Sequence, residues 1–461
     1  MRHNNKKKTE KRSTYQMMIE GNIPRVIIML SIPAILSMLV TNIYNMVDTA
    51  FVGRLGTSAS GAVGIVFGFM SIIQAFGFMY GHGAGNMMAR SLGARNEEES
   101  SRIASTGFFC SLLSGLAIEV IGFLTLDHLV FWLGSTPTIA PYAKIYISYI
   151  LAAAPFMTAS LSLNNMLRYE GRAGLGMIGL MTGAFLNMAG DPIFMFGLDM
   201  GIAGAGLSTA LSQTVSFAIL LSMFFRGKTV SRISWSRSRL TDRHLIWNIV
   251  GTGFPSMLRQ GLNSCSTVLL NFYASAYGDA AVAAMSIVSR IIFFVFSISL
   301  GMGQGFQPVS GFNKKKKKYK RLREAYRFTI LLSEGIIFAG VTLLLVFSPH
   351  LISLFRDDPA VIAVGTRALQ LQGLALLLLP PCMASEMIYQ STGSKKGAWL
   401  LSSLRSGLFF IPMLVILANL RGLSGIQEAQ PIATVMAFVP SVYMGRRFFR
   451  QLPADSQDGE V

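Results

Sequence analysis

The amino-acid sequence predicts an all-α polytopic membrane protein whose twelve transmembrane helices form two pseudo-symmetric six-helix bundles. The first observation is composition: of 461 residues, 52% are hydrophobic and 13% charged, about half the charged share of soluble domains. The second is a set of twelve apolar stretches, each near the roughly 20 residues needed to cross a bilayer. The third is a single fixed offset in residue number that relates the two halves of the chain.

The twelve predicted spans set the topology. If the N-terminus is cytoplasmic, 32 of the 40 Lys and Arg residues lie in cytoplasmic segments, five in outside loops and three within spans. Cytoplasmic loops of membrane proteins carry such an excess of positive charge, so both termini are predicted to be cytoplasmic. In chain order the spans are 26–50, 61–83, 103–125, 140–165, 173–197, 203–225, 246–273, 281–307, 327–347, 361–391, 398–419 and 427–446.

The internal repeat pairs equivalent positions of the two halves. Pro33 matches Pro255, and Gly56 matches Gly278 at the same offset along the chain. Because each half holds six spans, both halves enter the membrane from the same side and the repeat is parallel. Two such bundles that face a central cavity suit alternating access around a site near the membrane midplane. The predicted domains are a basic cytoplasmic N-terminus (1–25), an N-lobe (26–225), a cytoplasmic linker (226–245), a C-lobe (246–446) and a cytoplasmic tail (447–461).

Composition and motifs exclude several classes of function. Much of the net charge of +18 resides in loops between spans, such as the run Lys314–Lys318, so it indicates contact with anionic lipid headgroups and not with nucleic acid. The chain has no Walker A loop and no HExxH or GxSxG motif, and its five histidines and three cysteines are scattered. The sequence therefore predicts a protein that is not an enzyme, uses no cofactor and draws its energy from an ion gradient.

Carboxylates inside the membrane are costly and mark functional sites by default. Asp48 ends the first span, and Asp191 lies in the fifth, one turn after Asn187 on the same helical face. The repeat offset places Leu270 and Met413 at the matching positions, so the acidic pair occurs in one lobe only. Two carboxylates in a poorly hydrated site repel each other, which favours proton uptake by one of them. Carboxylate, amide and hydroxyl oxygens together equally suit Na⁺, and no other metal ion is predicted.

Each member of the acidic pair also has an ordinary structural interpretation. Asp48 would cap a helix end or pair with Arg54. Asp191 would close the turn before Pro192. These interpretations give each carboxylate a structural role instead of a place in a binding site.

Glu386 is a third carboxylate within the predicted spans. The repeat offset matches it to Asn164, so it occupies the equivalent position of the other lobe. One interpretation is that it faces the cavity and attracts cationic substrate. The other is a structural ion pair with Arg405 or Arg290.

Prolines in the first and seventh spans predict kinks. Pro33 and Pro255 each remove one helical hydrogen bond. Matching kinks in the two halves suggest moving elements. Alternatively, neighbouring helices simply satisfy the freed carbonyl groups, as is common in membranes.

Several segments together resemble the multidrug and toxic compound extrusion (MATE) transporters. In chain order they read VDTAFVGRLG at 47–56, RYEG at 168–171, NMAGDPIFMFG at 187–197, GIAGA at 201–205, GFP at 253–255 and QPVSGFN at 307–313. The resemblance extends from Pro24 to about Arg446. It is closest to the bacterial branch that keeps its acidic residues in the N-terminal lobe.

The resemblance implies antiport, in which H⁺ or Na⁺ enters as an amphipathic or cationic organic compound leaves. It implies a monomeric, multi-pass protein of the plasma (inner) membrane that exports drug-like molecules and contributes to antibiotic resistance. It places Asn263 where another branch has an acidic residue, so no second ion site is predicted there. The implied coupling-ion site comprises Asp48, Asn164, Asn187, Asp191 and Thr209.

Two other functions fit the same architecture. One is a flippase or exporter of lipid-linked oligosaccharide precursors, which would need basic residues in its cavity, and only Arg259, Arg290 and Arg405 lie within the predicted spans. The other is a channel or receptor-like protein without a transport cycle. The duplicated six-span halves disfavour the second.

Overall fold

The structure is a computed structural model that describes residues 15–453. The predicted N-terminal segment up to residue 14 and the predicted tail from residue 454 lie outside this range. Within it, the regular elements are helices. The first half of the chain contributes α1 (Ile23–Gly53), α2 (Thr57–Gly93), α3 (Glu97–Leu124), α4 (Leu126–Trp132), α5 (Ala140–Tyr169), α6 (Ala173–Pro192) and α7 (Ile202–Phe225).

The second half repeats this order, with two of its spans divided into shorter helices. Its elements are α8 (Arg243–Ser275), α9 (Asp279–Lys315), α10 (Tyr319–Ser353), α11 (Pro359–Leu376), α12 (Leu379–Ser391), α13 (Lys395–Ser403), α14 (Phe410–Arg421) and α15 (Leu423–Arg450). Short π-helical segments, Ile193–Gly197 and Leu404–Phe409, follow α6 and α13.

Nine helical stretches of the described chain are long and apolar enough to cross a membrane. The pair α11 and α12 makes a tenth span that is bent by 51°. Two more polar helices of comparable length, α8 with 33 residues and α15 with 28, complete twelve. The predicted twelve-helix fold is confirmed.

The backbone repeats with the same offset as the sequence. α2 and α9 have 37 residues each and begin after Gly56 and Gly278, whose φ angles are 118° and 87°. Gly171 and Gly393 both have φ 85°, in turns that a residue with a Cβ adopts only with strain. The glycines that the repeat pairs in sequence are therefore those that the matching turns require.

The described chain forms two compact units. The first holds residues 36–257, together with Tyr15 and Gln16. Its central helix is α5, which packs against α2, α3 and α7. The early part of α8 belongs to this unit and approaches α2 closely, because Gly83 and Gly253 leave no side chain between the two backbones.

The second unit holds residues 17–35 and 258–453, and α9 packs there against α10, α11 and α12. The early part of α1 belongs to it, where Ser31 Oγ donates a hydrogen bond to the Met302 carbonyl at 3.5 Å. The unit boundaries fall after Ile35 and after Met257, two residues beyond Pro33 and Pro255. The lobes expected at 26–225 and 246–446 stay a prediction. The boundary between the compact units falls within α1 and within α8, just past the proline of each helix.

Candidate ion-binding site in the first unit

The two predicted carboxylates lie together in the first unit. Asp48 is in the last two turns of α1 and is 7% exposed, and Asp191 is near the end of α6 and fully buried. The two carboxyl groups interact directly with each other. Asp48 Oδ1 and Asp191 Oδ2 are buried without a hydrogen-bond partner among the described residues. Each carboxyl group therefore retains an oxygen for a proton or a cation.

Asn187 connects this pair to α7. Its Nδ2 lies 3.2 Å from Asp191 Oδ1, 3.2 Å from Thr209 Oγ1 and 3.3 Å from Ser208 Oγ. Ser208 Oγ in turn donates to the Asn187 carbonyl at 3.1 Å. Asn187 Oδ1 is a third buried oxygen without a hydrogen-bond partner in residues 15–453. Carboxylate, amide and hydroxyl oxygens thus converge in one place.

The local sequence of α6 explains how the helices approach here. Gly190 faces Ser208, and a Cβ at Gly190 would lie 2.6 Å from Ser208 Oγ. Pro192 then removes a backbone donor, and the chain continues as the π-helical segment Ile193–Gly197. Such π segments within helices occur frequently at functional sites. The site therefore lies where two helices are in close contact and the regular backbone hydrogen bonding ends.

Two tyrosines belong to this group although the sequence analysis did not select them. Tyr44 is one turn before Asp48 on α1, Tyr146 is on α5, and both side chains are buried beside the two carboxylates. The Tyr146 hydroxyl group also interacts with the Thr209 side chain. The four-residue spacing of Tyr44 and Asp48 was a usable signal, because such residues share a helix face.

The structure disfavours the ordinary interpretations of the acidic pair. Asp48 lies inside α1 and not at its cap, and the Arg54 guanidinium lies over the Phe51 ring at 5.7 Å from its centroid. Asp191 is the second-last residue of α6, but its carboxyl group contacts side chains of α1, α6 and α7, so it does more than close the turn before Pro192.

Asn164 was predicted to join this site, and the structure places it elsewhere. Its amide nitrogen lies beside Gly176, where an added Cβ would approach it to 2.6 Å. Gly176 precedes Asn187 by eleven residues, which is about 16 Å along α6. Tyr146 is the α5 residue at the depth of the carboxylates. The family resemblance alone had placed Asn164 in the site, and a resemblance in sequence gives no distances between side chains.

Glu386 lies in the second unit, in an ion pair that differs from the expected one. Its carboxylate contacts the Arg259 guanidinium, and the two side chains are 6% and 13% exposed. The expected partner Arg405 instead lies over the Phe296 ring, 4.8 Å from its centroid. Glu386, Arg259 and Arg405 line one cavity of about 20 Å³, which has room for about one water molecule.

Twelve helices in two repeated halves, with a buried carboxylate pair in one half, define a polytopic membrane transporter. The chain belongs to the MatE family, because the family model matches residues 33–193 and 255–416, one stretch in each half. These stretches cover more than half of the chain. The resemblance to the MATE transporters is thereby confirmed.

Similar proteins cover nearly the full length of the chain. A multidrug export protein MepA from Staphylococcus haemolyticus (strain JCSC1435) is 27% identical over 423 residues, which are 91% of this chain and 93% of the relative. A crystal structure of MATE in complex with MaL6 matches with TM-score 0.90 at 26% identity, covering 95% of this chain and 98% of that one. The outward-facing conformation of a multidrug resistance MATE family transporter of the MOP superfamily matches with TM-score 0.89 at 27% identity and the same coverage.

Proposed function

We propose that the protein exports amphipathic or cationic organic compounds across the plasma membrane in exchange for H⁺ or Na⁺. The observation that carries the proposal is the group formed by Asp48, Asp191 and Asn187, with three buried oxygens that have no hydrogen-bond partner in the described chain. A buried carboxylate is strongly destabilising unless it is paired or neutralised, so this group favours binding a cation. The multidrug export relative and the multidrug transporter structure support the choice of substrate.

Coupling follows from the position of the site on α1. Asp48 lies about four helical turns beyond Pro33 on the same helix. The compact unit changes just after that proline. Proline lacks the donor of one helical hydrogen bond, so α1 bends there at low cost. Neutralising the carboxylates changes which conformation of α1 is favoured, and by linkage the bound ion and the exported compound reduce each other's affinity. Pro255 gives α8 an equivalent bend.

The remaining features follow the topology. Both termini lie in the cytoplasm, the basic cytoplasmic loops contact anionic lipid headgroups, and the protein works as a monomer in alternating access. The transport cycle needs no metal ion other than Na⁺, if Na⁺ and not H⁺ is the coupling ion. Because Glu386 is paired with Arg259, its role is to stabilise the contact between α8 and α12 and not to attract a cationic substrate.

Export of lipid-linked oligosaccharides is the alternative function. A cavity for phosphorylated lipids needs cationic side chains that are free to bind phosphate. Of the three arginines within predicted spans, Arg259 is paired with Glu386, Arg405 lies over Phe296, and Arg290 is exposed on α9. Because two of the three are engaged within the protein, the arrangement favours drug export over lipid export.

The test is dye efflux from everted vesicles under an imposed proton gradient and then under a sodium gradient. Wild-type protein should export the dye, and Asp48→Asn and Asp191→Asn should lose gradient-driven export because each removes a titratable carboxylate. Asp127→Asn is the matched control, since Asp127 is exposed and its partner Lys144 is in an outside segment. Unchanged export in both site variants would refute coupling at this pair, and the gradient that drives export identifies the ion.

A further inference from the structure

An open groove of about 610 Å³ lies in the second unit, between the start of α10 and the end of α15. Four arginines line it in two pairs, each pair one helical turn apart: Arg323 and Arg327 on α10, Arg446 and Arg450 on α15. Tyr326 and Phe449 form its apolar wall, with ring centroids 4.8 Å apart. The groove is thus a cationic surface with one aromatic side.

Within residues 15–453, no salt bridge balances the charge of the groove. None of the residues that line it is acidic, and none of its four arginines is in a salt bridge among the described residues. Arg323 Nη2 donates only to a backbone oxygen, that of Phe449 at 3.3 Å. Like charges held this close repel each other. A bound anion would relieve that repulsion.

The side chains favour phosphate among anions. Guanidinium groups donate two parallel hydrogen bonds to phosphate oxygens, and arginine is the common choice for this recognition. Tyr326 is held in place by Ser385 at 2.9 Å between the hydroxyl oxygens. Gly445 leaves the space for this contact, because a Cβ there would lie 2.5 Å from the Tyr326 hydroxyl. The aromatic wall is therefore fixed beside the arginines.

The surroundings favour a lipid phosphate over a free one. The groove lies at the end of the two helices that the positive-inside rule places at the cytoplasmic face. Further along these helices, Leu331, Val439 and Tyr443 are 71%, 66% and 62% exposed. These apolar side chains extend from the groove into the predicted lipid-facing surface. A molecule with a phosphate and acyl chains would contact both regions.

We propose that this groove binds the phosphate headgroup of an anionic phospholipid of the cytoplasmic leaflet, with its acyl chains along α10 and α15. The proposal rests on the cytoplasmic orientation given under the proposed function. It names one site within the general attraction of the basic loops for anionic lipid. Because the site lies in the second unit, lipid binding is measured independently of the carboxylate pair.

The test uses the full chain in phosphatidylcholine nanodiscs that contain phosphatidylglycerol, with bound lipid counted by native mass spectrometry. Arg446→Gln/Arg450→Gln should weaken phosphatidylglycerol retention about tenfold or more, since each basic residue near the surface contributes about 1 kcal/mol. Lys315→Gln/Lys316→Gln removes the same charge from the neighbouring loop and should retain the lipid. Equal loss in both variants, or no loss in the groove variant, would overturn the proposal.

Four further arms separate the alternatives. Arg446→Lys/Arg450→Lys keeps the charge, and partial retention there excludes misfolding as the cause of the loss. Inorganic phosphate, titrated by calorimetry, should bind at least about tenfold more weakly than phosphatidylglycerol, and equal binding would contradict a lipid site. A chain that ends after Pro453 lacks Asp455, Asp458 and Glu460. Lipid binding seen only in that shortened chain would show that the acidic tail fills the groove. Asp48→Asn should bind the lipid like wild type even where its export is lost.

Discussion

Asn187 Nδ2 lies 3.2 Å from Asp191 Oδ1, and this amide joins the buried carboxylates to the hydroxyl groups of α7. We predict that Asn187→Ala reduces gradient-driven dye export about tenfold or more, because it leaves buried oxygens without a donor. Vesicle efflux measures the loss. Asn419→Ala is the control, since the Asn419 amide is exposed and donates only to its own helix, to the Val415 carbonyl. Equal export by both variants would argue against a role for Asn187.

Tyr146→Phe should weaken coupling while leaving the fold intact. The ring stays in place, but the interaction of its hydroxyl group with Thr209 beside the carboxylates is lost. A polar interaction of this kind contributes about 1 kcal/mol, so we expect export to fall by roughly fivefold. Tyr142→Phe, four residues earlier on the same helix and 43% exposed, should export like wild type. A matching decrease in both variants would assign the effect to the helix and not to the site.

Glu386→Gln should destabilise the second unit, because it leaves the Arg259 charge buried without its partner. Breaking one side of such a pair costs about 3–5 kcal/mol, whereas replacing both partners with apolar residues is nearly neutral. The melting temperature of purified protein should therefore drop for Glu386→Gln and recover in Glu386→Leu/Arg259→Leu. The exposed pair Arg102 and Glu98 gives the comparison, and Glu98→Gln should shift stability by about 0.5 kcal/mol or less. A double variant that is no more stable than the single one would show that the pair is not the cause.

Glu170 makes stability depend on pH. It follows α5, is 1% exposed, and its Oε1 accepts a hydrogen bond from the Ser231 backbone nitrogen at 2.6 Å. Burial raises the pKa of this carboxyl group above 4.5, and the bonds from Ser231 offset only part of that effect. A raised pKa means that the folded state binds the proton more tightly than the unfolded state, so this contribution is full below pH 4.5 and declines as the pH rises through the folded pKa.

Glu170→Gln removes that dependence while keeping a hydrogen-bond acceptor for Ser231. Relative to the variant, the melting temperature of wild type should fall as the pH rises above 4.5. Thermal unfolding in detergent across this range measures the difference. Parallel curves for the two proteins would show that Glu170 does not titrate in this interval.

Pro33→Ala restores a backbone donor in α1 and should stiffen the helix where the compact unit changes. We expect slower export with unchanged melting temperature or a slight increase. Pro349→Ala, inside α10 and within a single unit, is the control and should export normally. Wild-type export by Pro33→Ala would mean that the bend is not needed for transport.

The sequence predicted the fold well, because apolar length and a fixed offset are direct consequences of crossing a bilayer twelve times in two equivalent halves. It also grouped Asp48, Asn187, Asp191 and Thr209, which the structure brings together, although ion binding by them stays a prediction. Helical spacing explains this success within α6. Nothing in the sequence fixes the depth of one helix against another, so Tyr146 was missed, and Asn164, which the resemblance added, lies beside Gly176 and apart from the carboxylates.

The partner of Glu386 was wrong for a related reason. Arg259, Arg290 and Arg405 all lie within predicted spans, and composition does not tell which of them faces α12. The packing of the helices determines the partner of Glu386, because it places Arg259 against the carboxylate and Arg405 over the Phe296 ring. Contacts between helices far apart in sequence were therefore the least predictable part of the molecule.

The unit boundaries after Ile35 and Met257 predict what would happen if the two halves of the chain were made as separate polypeptides. A cut within the linker at 226–245 would give two polypeptides with six spans each, yet neither would carry a complete compact unit. The first would lack residues 246–257 of its own unit, and the second would lack residues 17–35. Each compact unit would therefore be complete only when both polypeptides are present, because each supplies the first part of its first helix to the unit of the other.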